Sequence, residues 1–265
     1  MNEVKIERPI TYSGDKRFLV MARVGDSSLH KEWLPQSTDR NFDLFLEYYG
    51  DGSNDYRNDC DFYSEAKETK WPRLYQVMEE WGDCILEYDA IWIPDDDISV
   101  DCKTINEMFD LFMDYDLALA QPALTWDSYY SHDITLKVKG NILRYTNFVE
   151  VMVPIFSSEA LELLWETFYE SESGWGLDSI WPKLLGYSKD SIAIIDKVAV
   201  KHTRKVKSGS LYNVINRSPY EELEQICKEY NVYPYFDYSQ YGEVHEEYRR
   251  RGAQRSYVFK SAYNK

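Results

Sequence analysis

The stretch that most limits what this chain can fold into is Tyr88 to Val100, Y-D-A-I-W-I-P-D-D-D-I-S-V. Ala90 to Ile93 are apolar without alternation, the pattern of a strand buried on both faces and hence of a sheet covered by helices. Pro94 cannot donate to a central ladder, so the strand should stop there. Asp95, Asp96 and Asp97 follow at once. Three like charges at the mouth of a buried strand repel one another unless a cation or a good set of donors compensates. Hard oxygen ligands in that position suit Mg²⁺ or Mn²⁺ carried with a phosphorylated substrate. In open α/β sheets, the crevice beyond the carboxyl ends of the strands is where ligands bind. An Asp cluster after a strand also serves to cap a helix or to solvate a turn, and the residues alone leave that alternative open.

The net charge of −16 excludes general nucleic-acid binding, which needs a basic footprint. It does not exclude an anionic small molecule, because a metal reverses the local sign. A length of 265 residues allows one large α/β domain, or one domain with a tail. The 8 tryptophans and 23 tyrosines are an aromatic wealth common among carbohydrate-handling proteins, and equally the material of ordinary cores. Cys60, Cys84, Cys102 and Cys227 have neither C-x-x-C nor zinc spacing, which predicts reduced thiols in a cytoplasmic chain. The start lacks the apolar core of a signal peptide, and no apolar run reaches membrane-spanning length. Any membrane contact is expected to be peripheral.

Strands are predicted at Phe18–Ala22 and Phe42–Tyr49, the first running into Arg23-Val24-Gly25-Asp26. A basic residue, a Gly and an Asp at a strand exit could hold a nucleotide, so Arg23, Val24 and Gly25 are candidate donor contacts. Residues 51–61 read as a polar surface loop. Trp71, Leu74, Tyr75 and Met78 carry helical spacing behind Pro72. Lys70 and Arg73, at the start of that helix, are candidate phosphate contacts. Thr104 and Glu107 form a capping-box pattern ahead of a second helix with Ile105, Met108, Phe109 and Phe112 on its buried stripe. Further strands are expected at Leu117–Gln121, at the alternating Ile134, Leu136 and Val138, at Val149–Phe156, at Ile192–Ile195 and at Val198–Val200. A helix is marked by Leu161, Leu164, Trp165 and Phe168. Near the end, Ser218-Pro219-Tyr220-Glu221 is a capping box with proline at the first helical position. Tyr233 to Tyr241 reads as irregular and aromatic, and Arg249–Arg251 as a local basic patch suited to an anionic lipid or a phosphorylated acceptor.

Taken in order, Lys70-Trp71, Y-D-A-I-W-I-P-D-D-D-I, A-Q-P-A-L, F-V-E-V-M-V-P-I-F, G-W-G-L-D and V-A-V-K-H resemble the family labelled domain of unknown function 707. Its members are regarded as glycosyltransferases of the GT-A type, and the resemblance covers residues 15–204. It implies a GT-A-like α/β fold, a mixed sheet flanked by helices, over residues 1–204. Residues 205–265 would be a helical and aromatic extension packed on the core. The family's acidic motif is commonly D-E-D, and here it is D-D-D, which keeps both outer carboxylates. By that resemblance Asp97 is the direct ligand of Mn²⁺ or Mg²⁺, Asp95 serves the metal or the donor ribose, Asp96 faces the donor, and His202 is a late third ligand. Asp178 in G-W-G-L-D becomes the candidate general base, with Trp175 offering a flat face to a sugar. The alternative for Asp178 is an N-cap of the following segment. Glu150 is a second catalytic candidate, or a buried partner for Arg144. His132-Asp133 and Trp126 are assigned to the acceptor loop.

The implied function is metal-dependent transfer of a sugar from a nucleotide-sugar, UDP-sugar foremost, to a hydroxyl of a carbohydrate or glycolipid in polysaccharide or glycan synthesis. Inversion through Asp178 is the preferred route, and retention would need no such base. Two rivals use the same residues. One is a metal-dependent nucleotide-sugar phosphohydrolase, and the other is a non-catalytic carbohydrate- or partner-binding protein with a vestigial acidic cluster.

Overall fold

The computed structural model describes residues 4–36, 39–53, 55–205, 215, 217–233 and 238–246. The patch Arg249–Arg251 and residues 234–237 lie outside the described residues.

In chain order the elements are β1 (Lys5–Arg8), β2 (Phe18–Val24), β3 (Phe42–Tyr48), β4 (Phe62–Glu65), α1 (Lys70–Ile85), β5 (Ala90–Trp92), β6 (Ile98–Ser99) and α2 (Cys102–Asp114). There follow β7 (Leu119–Leu124), β8 (Asn141–Thr146), β9 (Ile155–Ser157), α3 (Ser158–Leu164), α4 (Leu177–Leu184), β10 (Ile192–His202), α5 (Pro219–Glu229) and β11 (Gln240–His245). The sheet runs β1-β4-β3-β2-β5-β9-β7-β10-β8-β11, and β6 pairs with the end of β10. Strands β4, β3, β2 and β5 are mutually parallel, as are β7 and β10, while β9 lies antiparallel between β5 and β7.

Alternate side chains of each strand enter opposite layers. Val20, Ala22 and Val24 of β2 join α2's Ile105, Phe109 and Phe112 on one face. Leu19 and Met21 join α1's Leu74 and Val77 and α4's Ile180 and Trp181 on the other. Both faces are thus buried, which is why the inner strands read as continuous apolar runs. The strand order reverses between β2 and β5. Their carboxyl ends, Val24-Gly25 and Ile93-Pro94-Asp95, therefore open a crevice at that point.

Several sequence expectations change. Ile134, Leu136 and Val138 do not form a strand: Asp133–Thr135 is one tight turn and Leu136 makes a single bridge to Leu124. The backbone there is satisfied otherwise, Val138 N donating to the Asp196 carboxylate, so no ladder is needed. Strand β7 does not stop before Pro122 but runs through it. The partner β10 absorbs the proline with a bulge between Ile195 and Ala199, which also fuses two expected strands into one. The expected strand Val149–Phe156 shrinks to β9, leaving Glu150 in the turn before it. Asp101, rather than Thr104, caps α2, its carboxylate accepting from Thr104 N at 2.7 Å. The polar loop 51–61 contains one turn at Arg57–Asp59.

The capping box of α5 is present, with Glu221 accepting from Ser218 N at 3.1 Å. Helix α5 lies on α4, and β11 adds to the free edge of β8. All four cysteines are free thiols. No described helix is long and apolar enough to cross a membrane.

Candidate active site

The central strand continues past β5 without regular ladder pairing. Ile93 N donates to Pro154 O and Asp95 N to Met152 O, each at 2.9 Å. These two bonds zip the acidic triplet to the segment that carries Glu150. Each carboxylate of the triplet then meets a different partner.

Asp95 accepts from Lys70 Nζ at 2.6 Å, and the same ammonium reaches Ile93 O at 3.2 Å. Lys70 stands at the first turn of α1, so the start of that helix delivers a cation to the triplet. Asp96 is 5% exposed and fully occupied. It accepts from Gly25 N at 2.7 Å, from Tyr49 Oη at 3.2 Å and from Arg204 at 2.8 Å. Gly25 is required at that place, since a Cβ there would sit 2.9 Å from the Tyr49 ring. Arg204 also donates to Ser27 O at 2.7 Å, tying the end of β10 to the loop after β2. Asp97 faces His202, with Nε2 at 3.1 Å from Oδ2. His202 Nδ1 lies 2.7 Å from Tyr129 O, a carbonyl that can only accept, so Nδ1 carries a proton and Nε2 points at Asp97. Burial alone would lower the His202 pKa, but the Asp97 carboxylate outweighs it and holds the imidazole up at about 9. The β6–β10 pairing, which sets His202 opposite Ile98, fixes this contact.

Near the triplet stand two further carboxyl groups with no Lys or Arg partner among the described residues. Glu150 is 8% exposed, its Oε2 has no hydrogen-bond partner among the described residues, and His132 Nε2 is the nearest basic atom at 4.0 Å. Burial, with the Asp178 charge second, pushes its pKa up to about 8. Asp178 is 6% exposed in the first turn of α4, where backbone N–H groups oppose but do not cancel a burial that raises it to about 7. The N-cap of α4 is Gly176, at φ 98°, and not Asp178. The loop before it places Trp175 half-buried with its ring 4.9 Å from that of Tyr220.

The structure thus brings Gly25, Lys70, Asp95, Asp96, Asp97 and His202 to one mouth. Glu150 is linked to it electrostatically through His202 and Asp95, and Asp178 stands near Glu150. Arg23 is turned away: it is 6% exposed and donates to Ala66 O at 2.6 Å and Thr69 O at 2.8 Å while pairing with Glu47 at 3.0 Å. Arg73 is spent on Glu47 as well, at 2.8 Å. Val24 is core, and its carbonyl accepts from Tyr49 N. Arg144 pairs with Asp196 at 2.7 Å and not with Glu150. Trp126 is 73% exposed, bonded through Nε1 to Lys137 O at 3.1 Å.

Tyr49 and Arg204 were not singled out by sequence reasoning. Arg204 lies two residues beyond the end of β10, where strand periodicity no longer marks a face.

Carboxylate oxygens and an imidazole are a donor set that Mn²⁺ or Mg²⁺ accepts. Among the described residues, however, no three His, Cys, Asp or Glu side chains form a cage for a metal ion. Asp97 and His202, already in contact, would supply two ligands, and a cation held there would need oxygens from a substrate to complete its shell.

A mixed sheet with a parallel half, helices on both faces and an acidic crevice at the reversal of strand order define a GT-A-like architecture. The solved structure of S. aureus TarS 1–349 in complex with UDP-GlcNAc aligns with it at a TM-score of 0.52 and 12% identity, over 80% of this chain and 66% of that one. Another structure of S. aureus TarS aligns over 80% of this chain and 39% of that one, at 11% identity and a TM-score of 0.49. This chain therefore spans about two thirds or less of the length of these TarS chains. No family model matches the sequence, so the resemblance to domain of unknown function 707 is not shown at the level of family. No curated protein matches it either. At such low identity the likeness is one of fold.

Proposed function

We propose that this chain is a glycosyltransferase that moves a sugar from a UDP-sugar to a hydroxyl of a carbohydrate or glycolipid acceptor, with Mn²⁺ or Mg²⁺ as cofactor. The observation that carries the reading is the division of labour across one cleft. On one side is a triplet of carboxylates in contact with an ammonium, a guanidinium and an imidazole. On the other are two buried carboxyl groups with raised pKa values. The glycosyltransferase TarS, whose fold this chain shares, binds UDP-GlcNAc.

In this reading Asp97 and His202 hold the cation, which when bound would neutralise charge on the diphosphate leaving group. Lys70 and Arg204 add positive charge on either side of the triplet. Asp96 acts as a clasp, since its oxygens are taken by Gly25, Tyr49 and Arg204. Asp178 takes the proton of the attacking hydroxyl. A carboxylate whose pKa lies at about 7 is far more basic than an ordinary one and still roughly half ionised at neutral pH, which suits a general base. Glu150 keeps its proton at neutral pH and can donate to a sugar oxygen. Direct displacement with Asp178 as base inverts the anomeric centre.

The test is thermal unfolding with UDP and UDP-GlcNAc, with other nucleoside diphosphates as controls, in Mn²⁺ and in EDTA. A ligand at about a hundred times its Kd stabilises by about 2.7 kcal/mol, a midpoint rise of about 5 °C for a chain of this size. UDP with Mn²⁺ is expected to give that rise, and Asp97→Ala to remove it. Equal midpoints under every condition would overturn the reading.

A further inference from the structure

The segment after Arg204 looks like a surface addition in sequence, yet its helix contacts the loop that precedes Asp178. Glu222, on α5, is 3% exposed and has no cation partner among its contacts. Its carboxylate accepts from Ser171 Oγ at 2.9 Å, Glu172 N at 3.0 Å and Ser173 N at 3.0 Å, and from Ser173 Oγ as well. One side chain from a distant part of the chain thereby gathers the donors of three consecutive residues. A buried carboxylate satisfied by neutral donors in this way costs desolvation that only its full set of hydrogen bonds offsets.

The loop so held has little freedom. Ser171 Oγ in turn accepts from Gly174 N at 2.9 Å, and Ser173 Oγ from Trp175 N at 3.2 Å. Gly174 is pressed on the Trp71 ring, and Gly176, at φ 98°, on Ile226 of α5, 3.2 Å from where a Cβ would stand. Two residues later comes Asp178. Cys227, next to Ile226, interacts with Ser179. Glu222, Ile226 and Cys227 recur at helical spacing, so a single face of α5 lies along residues 171–179. The following stretch reaches the other carboxyl group: Tyr238 bonds His132 Nδ1 and packs on Phe148 at 5.0 Å, and His132 Nε2 faces Glu150.

We propose that Glu222 is a positioning residue for Asp178, and that the segment beyond Arg204 completes the active site instead of decorating it. The inference rests on Asp178 being the base of the proposed transfer.

The test uses the full chain carrying Glu222→Gln, which keeps the shape but halves the accepting oxygens. Ser173→Ala is the milder second variant, and Glu224→Gln, on the exposed side of α5, the control. Turnover is followed as UDP release from UDP-GlcNAc with Mn²⁺. In parallel, the Asp178 carboxyl is titrated by carbon-13 NMR. A displaced base costs rate and leaves donor binding alone. Glu222→Gln should therefore lower kcat by about tenfold or more, with KM for UDP-GlcNAc within about twofold of wild type. It should also move the Asp178 midpoint from about 7 toward the ordinary carboxylate range as the loop opens to water. Ser173→Ala should do the same to a smaller degree, and Glu224→Gln nothing. An unchanged kcat overturns the proposal, and so does a loss of turnover matched by loss of the UDP-induced rise in unfolding midpoint, which would mark a purely structural brace. If the wild-type chain releases no UDP, the proposed function fails in its donor. The titration then decides alone: a moved midpoint upholds the positioning role, and an unmoved one overturns it.

Discussion

Two buried carboxylates in this molecule have opposite surroundings. Glu47, on β3, is wholly buried between the guanidinium groups of Arg23 and Arg73, with Ser64 Oγ donating at 2.7 Å. Glu150 is nearly as buried and has no Lys or Arg in contact among the described residues, only a histidine at 4.0 Å. Taking a charge out of water is costly wherever it happens. At Glu47 the chain supplies the compensation and the result joins β2, β3 and α1. At Glu150 no such cation is in contact among the described residues, at Asp178 hydrogen bonds offset burial only in part, and proton affinity rises instead. A buried acid with its cations built in is part of the frame. One without them is held for something that arrives later.

Three substitutions would break or sharpen that contrast. Glu47→Ala leaves two guanidinium groups buried without a countercharge and should cost about 3–5 kcal/mol, read from urea unfolding. A loss below about 1 kcal/mol would mean that the frame does not depend on the balance. Asp178→Asn should behave in the opposite way. Removing an uncompensated charge leaves stability level or improved, while kcat for UDP release drops by about a hundredfold or more. Unaltered turnover would move the base to Glu150 or favour a retaining route. The smallest effect concerns pH. The Glu150 pKa is about 8 in the folded chain against an ordinary 4.5. Between those values the folded state keeps a proton that the unfolded state has released, so wild-type stability falls as pH rises. Glu150→Gln escapes that loss. Its advantage over wild type should therefore widen from pH 5 to pH 8, by on the order of 1–3 kcal/mol. A constant difference would show that Glu150 titrates normally.

Legibility in the sequence followed the range of the interactions. The strands at Phe18 and Phe42, the helices at Trp71 and Ile105 and the acidic mouth after Ile93 are written in local periodicity, and the structure has them all. Strand β8 was missed because its Asn141 and Arg144 break the apolar run. Their compensation comes from Asp196 on β10 and Glu243 on β11, far away in the chain. The alternation at Ile134, Leu136 and Val138 misled for the converse reason, since a side-chain carboxylate took a backbone N–H that a neighbouring strand would have claimed. Within the site, the triplet and Lys70 could be chosen from residue type and order, whereas His202 came only with the family resemblance. Arg23 could not be sorted from Lys70 that way, because both are cations at element ends. Only the carbonyls of Ala66 and Thr69 reveal that Arg23 is already spent.

The two hydrogen bonds that run from Ile93 and Asp95 to Pro154 and Met152 work as a ruler between the acidic triplet and Glu150. A residue gained or lost within 151–154 would break this spacing and displace Glu150 from the acidic triplet. The stretch between β7 and β8 has fixed points of its own, Tyr129 N donating to His202 O at 3.1 Å, Lys137 N to Leu124 O at 2.9 Å and Val138 N to the Asp196 carboxylate at 2.9 Å. A change of chain length in either stretch would thus be felt at an acidic wall, at Glu150 through the first and at His202, and with it Asp97, through the second.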